Sequence, residues 1–390
     1  MNVFDNQYRT YRIILKIIGL WPYDNSIYVW IQRLSLLIYF LIGIIFQIIL
    51  LVKSEITLQN CVITLSEIFP VLLFFLRYLH CITLFSYAEI LFDNISAEEH
   101  LLQDSTEIQI QTKYLDISNH IIHIFCCASF IAVTAFIVFL LIPITLDIII
   151  PLNESRAHFN VLFLFGDQSA YIKIFFILNF MLILSFGLLC IMGTEFSLNI
   201  FCYYISRQFH IVSYRIRRIV EDLSMPILSK QIDLKFTDIH RIVDIYNHAI
   251  EHINFATNNG ATQYLIAIIV CILSFSVNLY RLYNAIITMD NRIEISGSAL
   301  VVIYHLMIAF YNNHYGQLII DSNLGIFNEL YASTWYRIPL KAQKLLLFMI
   351  LRTSMGCELR LSGLFTPSYV GFTSMMSSSF SYCAVIYSIQ

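Results

Sequence analysis

Apolar residues run along this chain in blocks too long for most soluble core helices. A helix needs about 20 predominantly apolar residues to cross a hydrocarbon layer. Seven stretches approach or exceed that: about Leu34 to Val52, Val62 to Phe85, Ile121 to Ile144, Ile172 to Ile191, Tyr264 to Tyr283, Ala299 to Ile320 and Leu364 to Ile389. The pattern of the fourth continues toward Tyr204. Three blocks are less uniform. The second is interrupted by Glu67, Pro70 and Arg77, the sixth holds His305, Asn312, Asn313 and His314, and the seventh is rich in serine. Polar groups at membrane depth usually face protein or water rather than lipid.

Between the blocks, two connections carry their own helical period. Residues 206–259 are basic, are split by Pro226, and repeat Ile239, Ile242, Val243, Tyr246, Ile250 and Ile253 at helical spacing. Residues 321–362 are similarly basic. Both read as anchor helices that extend the membrane helices beyond the lipid. Sequence repeats and low-complexity tracts are absent, so a single domain over residues 1–390 is expected. The fold class implied is all-α, a seven-transmembrane helical protein.

Composition agrees with this pattern. The 390 residues are 58% hydrophobic and 13% charged, where a soluble domain carries roughly 25% charged residues. Mean hydropathy is +0.72. A net charge of −3 gives no basic field for nucleic acid. The nine cysteines are scattered without a Cys-x-x-Cys pair, which argues against a disulfide framework or zinc cluster. The start of the chain, with Arg9, Arg12 and Lys16, does not read as a cleavable leader, and the first apolar block reads as the first anchor.

Charge sets the expected orientation. With the N-terminus in the cytoplasm, seventeen Lys and Arg fall inside, five fall outside, and Arg77 lies within the second span. Positive residues collect on the cytoplasmic side, so a cytoplasmic N-terminus and an extracellular C-terminus are expected. That is opposite to a G-protein-coupled receptor. Asp-Arg-Tyr after span three and Asn-Pro-x-x-Tyr in span seven are also missing. The triplet Asn153-Glu154-Ser155 falls in the expected outer loop, making Asn153 a candidate glycosylation site.

Several short motifs have a familiar order. Gly19-Leu20-Trp21-Pro22 stands just before the first span. Toward the end come Gly316-Gln317, Asp321-Ser322, Tyr331, Trp335-Tyr336, Pro339, Gln343-Lys344, Gly363 and Ser381-Tyr382. In these motifs, and in length and loop pattern over essentially the whole chain, the sequence resembles the insect odorant receptors. The tail lacks the Thr-Tyr-…-Gln-Phe signature of gustatory receptors. The insertion between spans four and five that marks the odorant co-receptor is missing too. The resemblance therefore implies a tuning subunit, which joins the co-receptor in a four-subunit, ligand-gated, nonselective cation channel in the plasma membrane of sensory dendrites. It implies that the seventh helix lines the pore and that a small volatile binds in the outer half of the bundle, without cofactor or covalent chemistry.

Candidate residues follow in two groups. In span seven, Ser374, Ser377, Ser378, Ser381 and Ser388 share a helix face with Val385. Spacing alone favours close helix packing over a wetted path; the resemblance reverses that preference. It also maps a hydrophobic gate onto Val385 and Ile389, flanked by Ser381 and Ser388. Tyr387 and Ser388 depart from more aliphatic tails. For the ligand, the expected walls are Phe74, Phe75, Phe136, Leu140, Phe176, Asn179, Phe180, Ile183, Tyr280, Tyr304 and Met307, since odorant pockets should be mostly apolar. For each phenylalanine taken singly, core or lipid contact is the commoner role, and Asn179 could equally bond another helix.

Other features have bland readings beside sharp ones. Arg77 and Glu195 are expected near the cytoplasmic ends of their spans, where they could snorkel. Glu67 reads as structural, with a polar ligand or Lys173 as its alternative partners. His248-x-x-Glu251-His252 matches a short zinc-peptidase pattern but lies on an anchor helix with no substrate cleft in view. Phosphate loops, nucleophile elbows and dinucleotide fingerprints are absent. The rival functions are a gustatory-type channel that needs no co-receptor and a secondary transporter, which commonly shows the internal repeats missing here.

Overall fold

A computed structural model describes residues 9–24, 26–53, 57–99, 102, 104–150, 170–224, 229–288 and 292–389. Among them the chain is helical almost throughout. The helices are α1 (Arg9–Ile17), α2 (Ile27–Lys53), α3 (Leu58–Thr83), α4 (Phe85–Glu99), α5 (Ser105–Ile149), α6 (Ala170–Ser224), α7 (Ser229–Thr288), α8 (Arg292–Ala332), α9 (Leu340–Ser354) and α10 (Tyr369–Ser388). A 3₁₀ turn, Trp335–Arg337, joins α8 to α9. Asn153 and Pro226 lie outside the described residues.

Six of these helices (α2, α3, α5, α6, α7 and α8) are long and apolar enough to cross a membrane. The last, α10, spans 20 residues, enough for a hydrocarbon core about 30 Å thick, but serine dilutes its apolarity. The longest helices reach well beyond lipid. α7 has 60 residues, about 90 Å at 1.5 Å per residue. The basic connections are thus the far ends of α6, α7 and α8 together with α9, and the membrane helices run into them unbroken.

Burial divides the molecule the same way. Along α2 the side chains of Ile31, Leu34, Ile38, Ile42, Ile45 and Ile49 are exposed in this single chain, a continuous apolar face suited to lipid. At the other end exposed charged groups stand among exposed apolar ones such as Leu347, Phe348 and Leu351. There Arg217 forks onto Glu329 at 2.7 Å through both nitrogens, and those hydrogen bonds hold the Glu329 carboxyl below its usual range. The core between is continuous from Tyr11 and Trp21 through Phe196 and Phe209 to Tyr246 and Leu346.

The sequence motifs now have physical reasons. Gly19 ends α1 at φ +71°, a conformation only glycine adopts freely. Leu20 N–H then reaches back to the Leu15 carbonyl at 2.7 Å, closing the helix end. Tyr78 donates to the Ile18 carbonyl at 2.7 Å and Arg33 to the Gly19 carbonyl at 2.6 Å, so this turn is bolted to α3 and α2. Gln343 donates to the carbonyls of Tyr336 and Ile338, at 2.9 and 2.8 Å, and fixes the turn before α9.

The last span starts later than the sequence pattern suggests, at Tyr369 rather than near Leu364. A tight turn precedes it, with Gly363 at φ +70° and Leu361 bridged to Phe365. Pro367 follows, and Ser368 caps the helix by accepting from Gly371 N–H at 3.0 Å. The second span likewise ends at Thr83, and α4 begins after Leu84.

Helix α10 is hung from α8. Asn313 Oδ1 accepts from Ser368 N–H at 3.1 Å and Gln317 Oε1 from Tyr369 N–H at 3.2 Å. The approach is close because residue 316 is glycine: a Cβ there would lie 2.1 Å from the Pro367 carbonyl oxygen. That obstacle is backbone and cannot swing aside. Gly316→Ala is expected to displace the start of α10 and to cost about 1–3 kcal/mol, the usual range for overpacking, read as a lowered melting temperature of the purified protein. An unchanged melting temperature would show that the contact is loose.

Candidate functional site

Between α3, α5, α6, α7 and α8 the bundle leaves a cavity of about 120 Å³. Its lining is almost wholly apolar, and its shape comes from two features of α6 and α3. Gly187 on α6 removes a side chain where the Phe74 ring lies, since a Cβ would sit 2.1 Å from Phe74 Cδ2. Pro70, inside α3, cannot donate the usual helical hydrogen bond and also lines the space.

Four residues expected at a ligand pocket meet here: Phe74, Phe136, Phe180 and Tyr304. The others lie elsewhere. Leu140 and Phe176 pack with Phe180 in a neighbouring cluster. Ile183 is core, against Gly43 of α2. Phe75 and Met307 pack on the main core. Tyr280 sits with Val62 and Val277, against Cys383 and Ile386 of α10. Asn179 receives the Tyr39 hydroxyl at 2.8 Å, tying α6 to α2.

The polar complement of the cavity is small, and composition alone did not point to most of it. The Tyr304 side chain lines the space, and its buried hydroxyl has the Ser129 hydroxyl as a neighbour. A hydroxyl both donates and accepts, so beside Ser129 it keeps capacity for a ligand in an apolar cavity. At one end of the cavity Arg281 donates to Glu294 at 2.6 Å and to Ser66 at 2.7 Å. His305 bonds the Ser274 hydroxyl at 2.7 Å through one ring nitrogen and the Val301 carbonyl at 2.8 Å through the other. These groups are used within the protein. Glu67 is buried and also lines the cavity; the Lys173 side chain lies outside the described residues.

At the other end of the cavity is a buried ion pair. Arg77 Nη1 lies 3.4 Å from Glu195 Oε1, with the two side chains 9% and 1% exposed. Arg77 Nη2 also donates to Asn312 Oδ1 at 3.0 Å, and Asn312 Nδ2 donates to Glu195 at 2.7 Å. Tyr264 donates to the same Asn312 oxygen and carries the Arg77 guanidinium over its ring at 4.9 Å. The snorkelling expected of Arg77 and Glu195 therefore does not occur. They face each other across the bundle, because neither can leave its partner inside an apolar interior.

The α10 helix presents two faces. Gly371, Met375 and Ser379 are buried against α7 and α8, with Met375 in an apolar cluster that includes Cys271 and Ala309. On the opposite face Ser374, Ser377, Ser381, Val385 and Ser388 are exposed in the single chain, and Ile389 beside them is 69% exposed. Ser381 donates to the Ser377 carbonyl at 2.9 Å and Ser388 to the Val385 carbonyl at 2.8 Å. Their hydrogens are thus satisfied inside the helix, and their oxygens remain outward.

The zinc-like triplet is divided. His248 and Glu251 are exposed and 3.4 Å apart, whereas His252 turns inward to the Tyr87 hydroxyl at 2.7 Å. Among the described residues no group of three histidine, cysteine or acidic side chains is arranged to hold a metal.

Replacing one member of the buried pair should be costly. Arg77→Ala strands Glu195, and breaking a buried pair typically costs about 3–5 kcal/mol. The expected result is a large fall in melting temperature, with Leu351→Ala on the exposed face of α9 as a neutral control. A shift no larger than the control's would mean that the pair is not needed.

A family model described as 7tm Odorant receptor matches residues 53–380. The insect olfactory receptor OR5 from Machilis hrabei, in its complex with eugenol, superposes with a TM-score of 0.79 at 12% identity, covering 99% of this chain and 98% of that one. A second structure of that receptor gives a TM-score of 0.76 at 12% identity, covering 99% of both chains. At such identity the likeness establishes the fold. No curated protein sequence matches the chain.

Proposed function

The chain belongs to the 7tm odorant receptor family, and from that premise we propose that it is a tuning subunit, which binds small volatile molecules in the cavity beside Tyr304 and gates a nonselective cation channel together with the odorant co-receptor. The observation that carries the reading is the apolar cavity inside the bundle with the Tyr304 hydroxyl on its wall. Such a space suits a neutral, mostly apolar molecule bearing at most one or two polar groups. The related Machilis receptor was solved with eugenol, a phenol of that description.

The channel half of the proposal rests on α10. A membrane helix with a small, hydroxyl-bearing face turned away from its own bundle is suited to water. Val385 and Ile389 on or beside that face would supply an apolar ring, and such a ring closes a pore by dewetting. In a four-subunit assembly the α10 helices would meet at the centre. The seventeen-to-five bias of Lys and Arg supports a cytoplasmic N-terminus, with the anchor ends of α6 to α9 inside the cell. The setting is the plasma membrane of sensory dendrites. Asn153 would then be extracellular and open to glycosylation.

Ligand action is a population shift. A volatile that binds the open-competent arrangement better moves the equilibrium by that difference alone. The test is whole-cell current in cells expressing this chain with and without the co-receptor, across a volatile panel. Cation current evoked only with both chains, without G-protein signalling, is expected. Current from this chain alone would favour a self-sufficient, gustatory-type channel. Substrate uptake without current would favour a transporter.

Tyr304→Phe sharpens the ligand claim. One hydrogen bond contributes about 0.5–1.5 kcal/mol, so hydroxyl-bearing agonists should lose roughly threefold to tenfold in potency. Hydroxyl-free agonists should be unaffected. An equal loss for both classes would exclude the hydroxyl as the recognition group.

A further inference from the structure

A second cavity, of about 140 Å³, lies on the far side of the Arg77 pair. It is displaced from the first by about 20 Å along the bundle, counting 1.5 Å per helical residue. Apart from Arg77, its walls come from residues that do not line the first cavity. They include Leu15 of α1, Ala88 of α4, Phe201 of α6, Gly260 of α7, and Leu361 and Pro367 of the segment leading into α10. Arg77 lines both spaces.

Three observations make this more than a packing flaw. Its volume equals or exceeds that of the first cavity, and its lining is almost as apolar. Well-packed interiors hold few voids larger than a water molecule. The wall is also shaped by glycine: the His80 ring packs onto Gly260, where a Cβ would stand 2.7 Å from His80 Cε1. Finally, His80 lines the space with Gln263 beside its ring, and its buried Nδ1 makes no hydrogen bond. Arg77, Tyr264 and Asn312 at the same wall already satisfy one another. One open ring nitrogen in an apolar chamber matches a neutral, apolar molecule with a single hydroxyl.

We propose that this second cavity is a binding site for small neutral alcohols or phenols, separate from the first and able to hold a ligand at the same time. Its occupant touches Leu361 and Pro367. Pro367 lies against Gly316, where α10 hangs from α8. Occupancy there would bias the base of α10 directly, without passing through the first cavity. The site therefore acts as a modulator of the response to a ligand bound above.

The test is photolabelling of the purified full-length chain with a diazirine-bearing octanol, followed by peptide mapping. Two sets of adducts are expected: one around Phe136 and Tyr304, the other on the segments 194–201 and 256–264. Ala88→Phe and Gly260→Leu each fill the second cavity. Each should abolish the second set and retain the first, and the retained labelling certifies that the variant has folded. Ala132→Phe, which fills the first cavity, should do the reverse. If the unmodified protein yields no adducts in the second set, or if both filling variants leave that set intact while the first set is retained, the proposal is wrong.

Discussion

The interaction on which the rest of this structure depends is the ion pair between Arg77 and Glu195. A charge inside an apolar bundle costs several kcal/mol unless it is paired and hydrogen-bonded. That penalty acts as a geometric instruction. Arg77 on α3 and Glu195 on α6 must meet, and Asn312 on α8 completes the contact by bonding both of them. Tyr264 brings α7 to the same point. Four helices are thereby fixed at one level. On either side of that level the packing is free to open, and it does so as two cavities that share the Arg77 side chain.

The same level lies close to the last helix. Within α8, Tyr304 faces the first cavity, Asn312 joins the ion pair, and Asn313 and Gln317 hold the start of α10. These positions fall along about four turns of one helix. A small rotation or shift of α8 would therefore alter the cavity, the polar cluster and the α10 attachment together. Packed interfaces tend to have discrete arrangements rather than a continuum. Under the proposed function, this shared helix is the element whose two positions a ligand would weigh against each other, and Gly316 is what keeps its contact with the Pro367 carbonyl short.

How much of this was legible beforehand depends on whether the information was local. Apolar runs such as Leu34 to Val52 announce a membrane helix by length alone. The family motifs were visible as residues and now have mechanical roles: Gly19 ends a helix, and Gln343 braces a turn. What sequence could not give was pairing across the fold. Arg77 and Glu195 lie 118 positions apart, and each alone is compatible with snorkelling. Asn179 was visible as a polar residue in an apolar run, but its partner Tyr39 was not. Seven of the expected pocket residues lie outside the cavity, because a Phe or Leu on a membrane helix has the same signature whether it meets lipid, core or void. The glycines were the missed signal. Gly187 and Gly260 each leave room that the phenylalanines and leucines around them do not announce.

The chemistry of the first cavity also limits what such a receptor could discriminate. Apolar burial contributes roughly 25 cal/mol per Å² and is indifferent to direction. Under the proposed function, a pocket built of Phe74, Phe136 and Phe180 would therefore accept many shapes at similar affinity, and one methylene more or less would change binding only modestly. A hydroxyl such as that of Tyr304 would add direction, because a ligand either meets its remaining hydrogen-bonding capacity or leaves it unmet. With one such group, tuning would be broad within a chemical class and steep between classes. A second site of the same character near the base of α10 would then offer a different kind of control. It need not recognise the odour at all, only change how much differential affinity the first ligand must supply to move the helix.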